Sequence, residues 1–178
     1  AIRDYFLRSA PAIALPHALF ADRLNSRGID LASETSLAAL GQALTASARI
    51  EWRAAPTFGE GMAREVLNPA DHGDVVGTVA EASASDAPTA VARAAASRWG
   101  ETAIEKRAAI LERAALAFEE RMPLLIGLAS REAGKSVPNA VAEVREAVDF
   151  LRYYAAQLRE RFTPAQRPLG PVVCISPW

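Results

Sequence analysis

Between Ser136 and Thr163-Pro164 the chain sets Val141, Val144, Val148, Leu151, Ala155 and Leu158 at alternating three- and four-residue spacing. That repeat keeps the side chains on one stripe of an α-helix, the longest helix the sequence can form. A helix of this length owes most of its stability to burial of the stripe, so the rest of the chain must supply elements that cover it. Ser136 is suited to open the helix, and Pro164 closes it by disfavouring helical geometry at the residue before it. Just upstream, Gly134 in Arg131-Glu132-Ala133-Gly134-Lys135 is placed as the left-handed cap of a preceding helix that carries Pro123 in its first turn.

The remaining elements follow from local signals. Thr102-Ala103-Ile104-Glu105 has the spacing of a capping box, and the helix behind it is expected to bury Leu111, Ala115, Phe118 and Met122. Leu37, Leu40 and Leu44 predict an amphipathic helix from Ser33 to about Trp52. Val66 and the run Val75, Val76, Thr78, Val79 flank a turn cluster at 68–74 and predict a hairpin. Ser85 or Asp86 opens a helix with Pro88 in its first turn, running toward Trp99 and stopping at Gly100. Residues 1–30 hold no period and read as a connector. Val172–Ile175 reads as a buried strand entering a loop at Ser176-Pro177-Trp178. The fold class expected is α/β: helix-rich, with one β-hairpin and one terminal strand. A lone strand leaves both edges unpaired, so the rest of its sheet is expected outside residues 1–178.

Composition excludes several classes of function. With 51% hydrophobic and 23% charged residues in 178, the chain is of the globular kind. A net charge of −1 without clustered Arg or Lys offers no footprint for nucleic acid. The longest apolar runs are far shorter than a membrane span, and the start lacks the apolar centre of a signal peptide, which makes the cytoplasm the expected location. One cysteine permits no internal disulfide, and two histidines make no zinc constellation.

Few residues suggest chemistry on their own. Cys174 sits in Val-Val-Cys-Ile, the setting of a small hydrophobe within a strand rather than of a reactive thiolate. His17 and His72 read as surface turn residues. Glu143, Arg145, Glu146, Asp149 and Arg152 lie beside the apolar stripe and read as a solvated face with local pairs such as Arg145 with Asp149. Tyr153 and Tyr154 read as packing residues, and Lys135 as a cation at a helix end. No glycine-rich phosphate loop is present.

Three ordered strings carry a resemblance: Arg131-Glu132-Ala133-Gly134-Lys135; the helical run from Ala142-Glu143-Val144-Arg145-Glu146 to Asp149-Phe150-Leu151-Arg152-Tyr153-Tyr154-Ala155; and Arg167-Pro168-Leu169-Gly170-Pro171-Val172-Val173-Cys174-Ile175-Ser176-Pro177-Trp178. They resemble the aldehyde dehydrogenase module of bacterial bifunctional proline-catabolic enzymes, which join proline dehydrogenase to L-glutamate γ-semialdehyde (1-pyrroline-5-carboxylate) dehydrogenase. Leu15-Pro16-His17-Ala18-Leu19-Phe20 and the stretch from Asn25-Ser26-Arg27-Gly28 to Ser33-Glu34 resemble the exit from the first enzyme's barrel. The resemblance implies three regions: residues 1–31 as the end of the proline dehydrogenase module and connector, 32–62 as a linking helix and loop, and 63–178 as an incomplete Rossmann-like NAD domain. It implies NAD held by Ile175, Ser176, Pro177 and Trp178, FAD in the parent's first enzyme, and Glu146 as a contact for the amino end of the substrate. An oxyanion-holding asparagine is expected immediately after Trp178. The thiol nucleophile and general-base glutamate are expected downstream, so no catalytic residue is assigned within 1–178 and the segment alone is expected to be inactive. A homo-oligomeric parent is implied, with peripheral association at the inner membrane face left open. A monofunctional semialdehyde dehydrogenase and a noncatalytic helical interaction module are the alternatives.

Overall fold

The computed structural model describes residues 14–59 and 61–175, as five α-helices and a three-stranded sheet. Helix α1 spans Glu34–Ser47, β1 Trp52–Ala54, β2 Ala63–Asn68, β3 Asp71–Ala80, α2 Ala87–Ala95, α3 Ile104–Glu120, α4 Met122–Ala133 and α5 Val137–Arg161. Gly134 caps α4 at φ 64°, a left-handed conformation that a side chain would strain, and Pro123 and Pro138 lie in the first turns of α4 and α5.

Helix α5 is covered along its length, as its stripe demands. Its N-terminal half gives Ala140, Val141 and Val144 to a core shared with Leu40 of α1 and Met122 and Ile126 of α4. Its C-terminal half, with Val148, Ala155 and Ala156 buried, packs along α3, which turns Ala108 and Ala115 inward. Small alanine side chains at these positions let the two helices pack closely, whereas the alanines of α2 are not buried. Phe118, expected in the same interface, stays 37% exposed, and Leu37 of α1 likewise faces outward.

The sheet has the order β1-β3-β2. Antiparallel β2 and β3 form the expected hairpin, with Val66 opposite Gly77 and a bulge around Leu67. The turn is shorter than the cluster at 68–74 suggested: Asn68 already faces Asp71, and His72 belongs to β3. Strand β1 pairs in parallel with β3 and was not expected, because three residues carry no period. It also shortens α1. The Ser47 hydroxyl donates back to the carbonyl of Leu44 (2.8 Å), the chain leaves the helix, and Trp52 pairs with Gly77, so the cross-strand ladder takes a tryptophan assigned to the helix.

Other boundaries are corrected by hydrogen bonds. Helix α2 ends at Ala95 rather than near Trp99, since the Ser97 hydroxyl accepts from the Trp99 amide (3.3 Å) and a separate 3₁₀ turn spans Trp99–Glu101. The capping exchange lies at Ser83 and Asp86, where the Asp86 carboxylate accepts from the Ser83 amide (2.8 Å) and hydroxyl (2.7 Å). Thr102 does not cap α3, and Glu105 is bound by Arg159 of α5 instead. Residues 171–175 form no regular element and pair with no strand among the described residues, leaving Val172, Val173 and Ile175 at least 75% exposed. Cys174 is accordingly an exposed free thiol and not the buried strand residue expected.

Candidate functional site

The polar side of α5 lies next to its apolar stripe, so the helix that organises the core also presents Ala142, Arg145, Glu146, Asp149, Phe150 and Tyr153 along one face. These six and Arg23 line an open cleft of about 480 Å³. Arg23 comes from the connector. Its guanidinium lies 3.8 Å over the Phe20 ring and 5.2 Å from the Tyr153 ring, and bonds Asp22 at 3.0 Å. Cation–π contact on two rings with an ion pair behind it holds this arginine at the rim. Tyr153 meets Tyr154 edge to face at 5.2 Å, and Tyr154 stacks on Phe150 at 5.9 Å, forming an aromatic ridge along one side.

The charged face is not the solvated one expected. Asp149 accepts from the Ser26 amide (2.6 Å) and hydroxyl (2.7 Å), and Arg145 Nε donates to the same hydroxyl at 3.2 Å. Arg152 forms a bidentate pair with Glu119 of α3 (3.0 and 2.8 Å) and donates to the Asn25 carbonyl at 3.2 Å. Glu119 also accepts from the Arg27 amide at 2.8 Å. Burial pushes the Glu119 carboxyl upward, but the bonds from Arg152 and the Arg27 amide outweigh it and hold the group below its ordinary value. Ser26 and Glu119 were missed, and Arg152 was read as solvated, because their partners are far apart in sequence. The available signal was the run Arg145, Asp149, Arg152 at helical spacing, a polar stripe fit to receive another segment.

Glu146 is the member of this face whose carboxylate makes no hydrogen bond or ion pair with another described residue, and it opens on the cleft. An ionised carboxylate beside aromatic walls can accept charge-assisted hydrogen bonds from a primary ammonium. Lys135 is tied to Glu143 of α5 at 2.7 Å, bracing the α4–α5 turn. His17 lies in a 3₁₀ turn, Pro16–Ala18, and lends its carbonyl to the Asn25 amide. No group of three or more potential metal ligands occurs among the described residues, and no described helix is long and apolar enough to cross a membrane.

The dinucleotide residues implied by the resemblance are only partly within view. Ser176, Pro177 and Trp178 lie outside the described residues. Ile175 is 89% exposed on an unpaired segment and does not line the Glu146 cleft. The described residues therefore do not build a dinucleotide pocket.

The aldehyde dehydrogenase family model matches residues 57–178. The chain is 55% identical over 173 residues to the bifunctional protein PutA of Rhizobium meliloti, covering 93% of this chain and 14% of that protein. It is 37% identical over 127 residues to 1-pyrroline-5-carboxylate dehydrogenase 2 of Bacillus subtilis, covering 63% of this chain and 25% of that one. Among solved structures, Thermus 1-pyrroline-5-carboxylate dehydrogenase with bound NAD superposes with a TM-score of 0.67 at 30% identity, covering 87% of this chain and 30% of that one. The chain thus spans a minor part of each relative's length. With the fold, the model match and these identities agreeing, the chain belongs to the aldehyde dehydrogenase family.

Proposed function

We propose that this chain is the connector and the first part of the aldehyde dehydrogenase module of a bifunctional proline-catabolic enzyme. The parent oxidises proline to 1-pyrroline-5-carboxylate with a flavin, and then oxidises L-glutamate γ-semialdehyde to glutamate with NAD. Residues 1–31 are the end of the first module and the connector, 32–62 the linking helix and loop, and 63–178 the start of the NAD domain. The bifunctional reading is favoured over a monofunctional dehydrogenase because the similarity to PutA covers 93% of the chain, well beyond the family match that begins at residue 57. The parent is a cytoplasmic homo-oligomer in this reading.

The observation that carries the substrate assignment is the Glu146 carboxylate, without a hydrogen-bond or ion-pair partner among the described residues, in a cleft rimmed by aromatic rings and two arginines. Its role is to accept from the ammonium of the semialdehyde, which orients the amino-acid end and leaves the aldehyde to chemistry supplied elsewhere in the parent. Ile175, Ser176, Pro177 and Trp178 are assigned to the NAD site on the resemblance alone. Replacing Glu146 by Gln in the intact enzyme tests the reading: the KM for glutamate semialdehyde should rise about tenfold or more, as expected for loss of a charged hydrogen bond. An unchanged KM sinks it. A purified 1–178 polypeptide is expected to reduce no NAD with the same aldehyde.

A further inference from the structure

The Glu146 cleft is not the work of one helix. Its floor is α5, but its rim is Arg23, delivered by a segment that neither the apolar stripe nor the core explains. That segment is gripped through its main chain at three successive residues. Arg152 takes the Asn25 carbonyl, Asp149 takes the Ser26 amide, and Glu119 takes the Arg27 amide. The buried side chain of the three is Ser26, 4% exposed, whose hydroxyl donates to Asp149 and accepts from Arg145, while the exposed Arg27 guanidinium lies 3.7 Å from Glu119. Two carboxylates on two helices, each accepting from a neighbouring amide, fix both the position and the direction of the strand between them. The same hydroxyl sets the orientation of Arg145, the neighbour of Glu146.

We propose that residues 22–28 are a clasped strap forming one wall of the Glu146 cleft, and that Ser26 and Asp149 are positioning residues that hold Arg23 and Arg145 beside the ligand. The result is a cleft lined by both signs of charge, complementary to a zwitterionic amino-acid aldehyde. The substrate part of this proposal rests on the reading of Glu146 given above. Asp149 acts through the strap: both of its carboxylate oxygens accept from Ser26, so although it borders the cleft its removal first releases the wall.

The test uses the intact enzyme with Ser26→Ala, Asp149→Asn and Glu146→Gln, reading amide hydrogen exchange at residues 22–28 and steady-state kinetics with glutamate semialdehyde. Asp149→Asn should speed exchange at Ser26 and Arg27 about tenfold or more, and raise KM about three- to tenfold, with the effect falling on KM rather than kcat. Ser26→Ala keeps the amide bond to Asp149, so it should give smaller changes of the same sign, and it serves if the Asp149 variant does not fold. Unchanged exchange overturns the clasp. Faster exchange with an unmoved KM overturns the wall. If Glu146→Gln leaves KM unmoved while Asp149→Asn raises it, the Glu146 reading falls and the strap stands.

Discussion

Gly127 of α4 packs directly against Ser47 of α1: a Cβ added to the glycine would lie 2.2 Å from the Ser47 hydroxyl oxygen. Real side chains do not approach so closely, and Ser47 is buried with its hydroxyl already bonded to the Leu44 carbonyl. Gly127→Ala should therefore push α1 off α4. Overpacking of about 1–3 kcal/mol exceeds the roughly 1 kcal/mol that alanine returns through helix propensity. The expected result is faster amide exchange along α1, partly reversed by adding Ser47→Ala. Slower exchange in the single variant would show that the seam accommodates the methyl and that helix propensity prevails.

The Glu119–Arg152 pair should behave as a buried unit. Their side chains are only 6% and 12% exposed, and the pair is joined bidentately. Removing Glu119 strands the Arg152 charge, at a cost of about 3–5 kcal/mol, whereas removing Arg152 leaves Glu119 the Arg27 amide and guanidinium and should cost less. The double replacement by apolar residues should cost clearly less than the sum of the two single changes. A double-mutant cycle on thermal inactivation of the intact enzyme checks this, and additive effects would contradict it.

Acid should loosen the hairpin through Asp74. Hydrogen bonds from Arg131 and Asn68 hold its carboxyl at about 2, below the ordinary 3.8. A depressed carboxylate contributes stability that is fully present above its unfolded value and lost as pH falls through its folded one. The contribution is thus complete above about pH 5 and declines toward pH 2. Amide exchange protection of β2 and β3 should fall across that window, and Asp74→Asn should flatten the fall. Glu105 and Glu112, lowered mainly by their bonds to Arg159, add to acid loosening of α3 on α5 in the same direction.

Strand β1 depends on a missing side chain. A Cβ at Gly77 would stand 2.1 Å from the Trp52 carbonyl oxygen, so Gly77→Val should detach β1 while β2 and β3 remain paired. Exchange at residues 52–54 should rise well above that at 63–68. Equal loss across all three strands would mean that the sheet opens as one body.

The long-period parts of this fold were legible in the sequence. The stripe on α5, the Gly134 stop and the helix starts at Pro88 and Pro123 follow from backbone chemistry and hold in the structure. What the sequence did not disclose depends on partners remote along the chain. Trp52 leaves its expected helix because Gly77 offers a ladder, and Glu105 abandons a cap because Arg159 offers two nitrogens. The cleft shows the same division. Glu146 was marked by resemblance and its helical neighbours Arg145 and Asp149 by spacing, but the opposite wall was invisible, since Arg23 and Ser26 belong to a stretch without periodicity.

The bond between Ser26 and Asp149 spans 123 positions. Closing so long a loop is entropically expensive, and little else in the strap repays that expense until α3 and α5 already lie side by side. The strap is then the last seam to close as the chain folds and the first to open. Changes within it should quicken unfolding and leave the folding rate almost untouched.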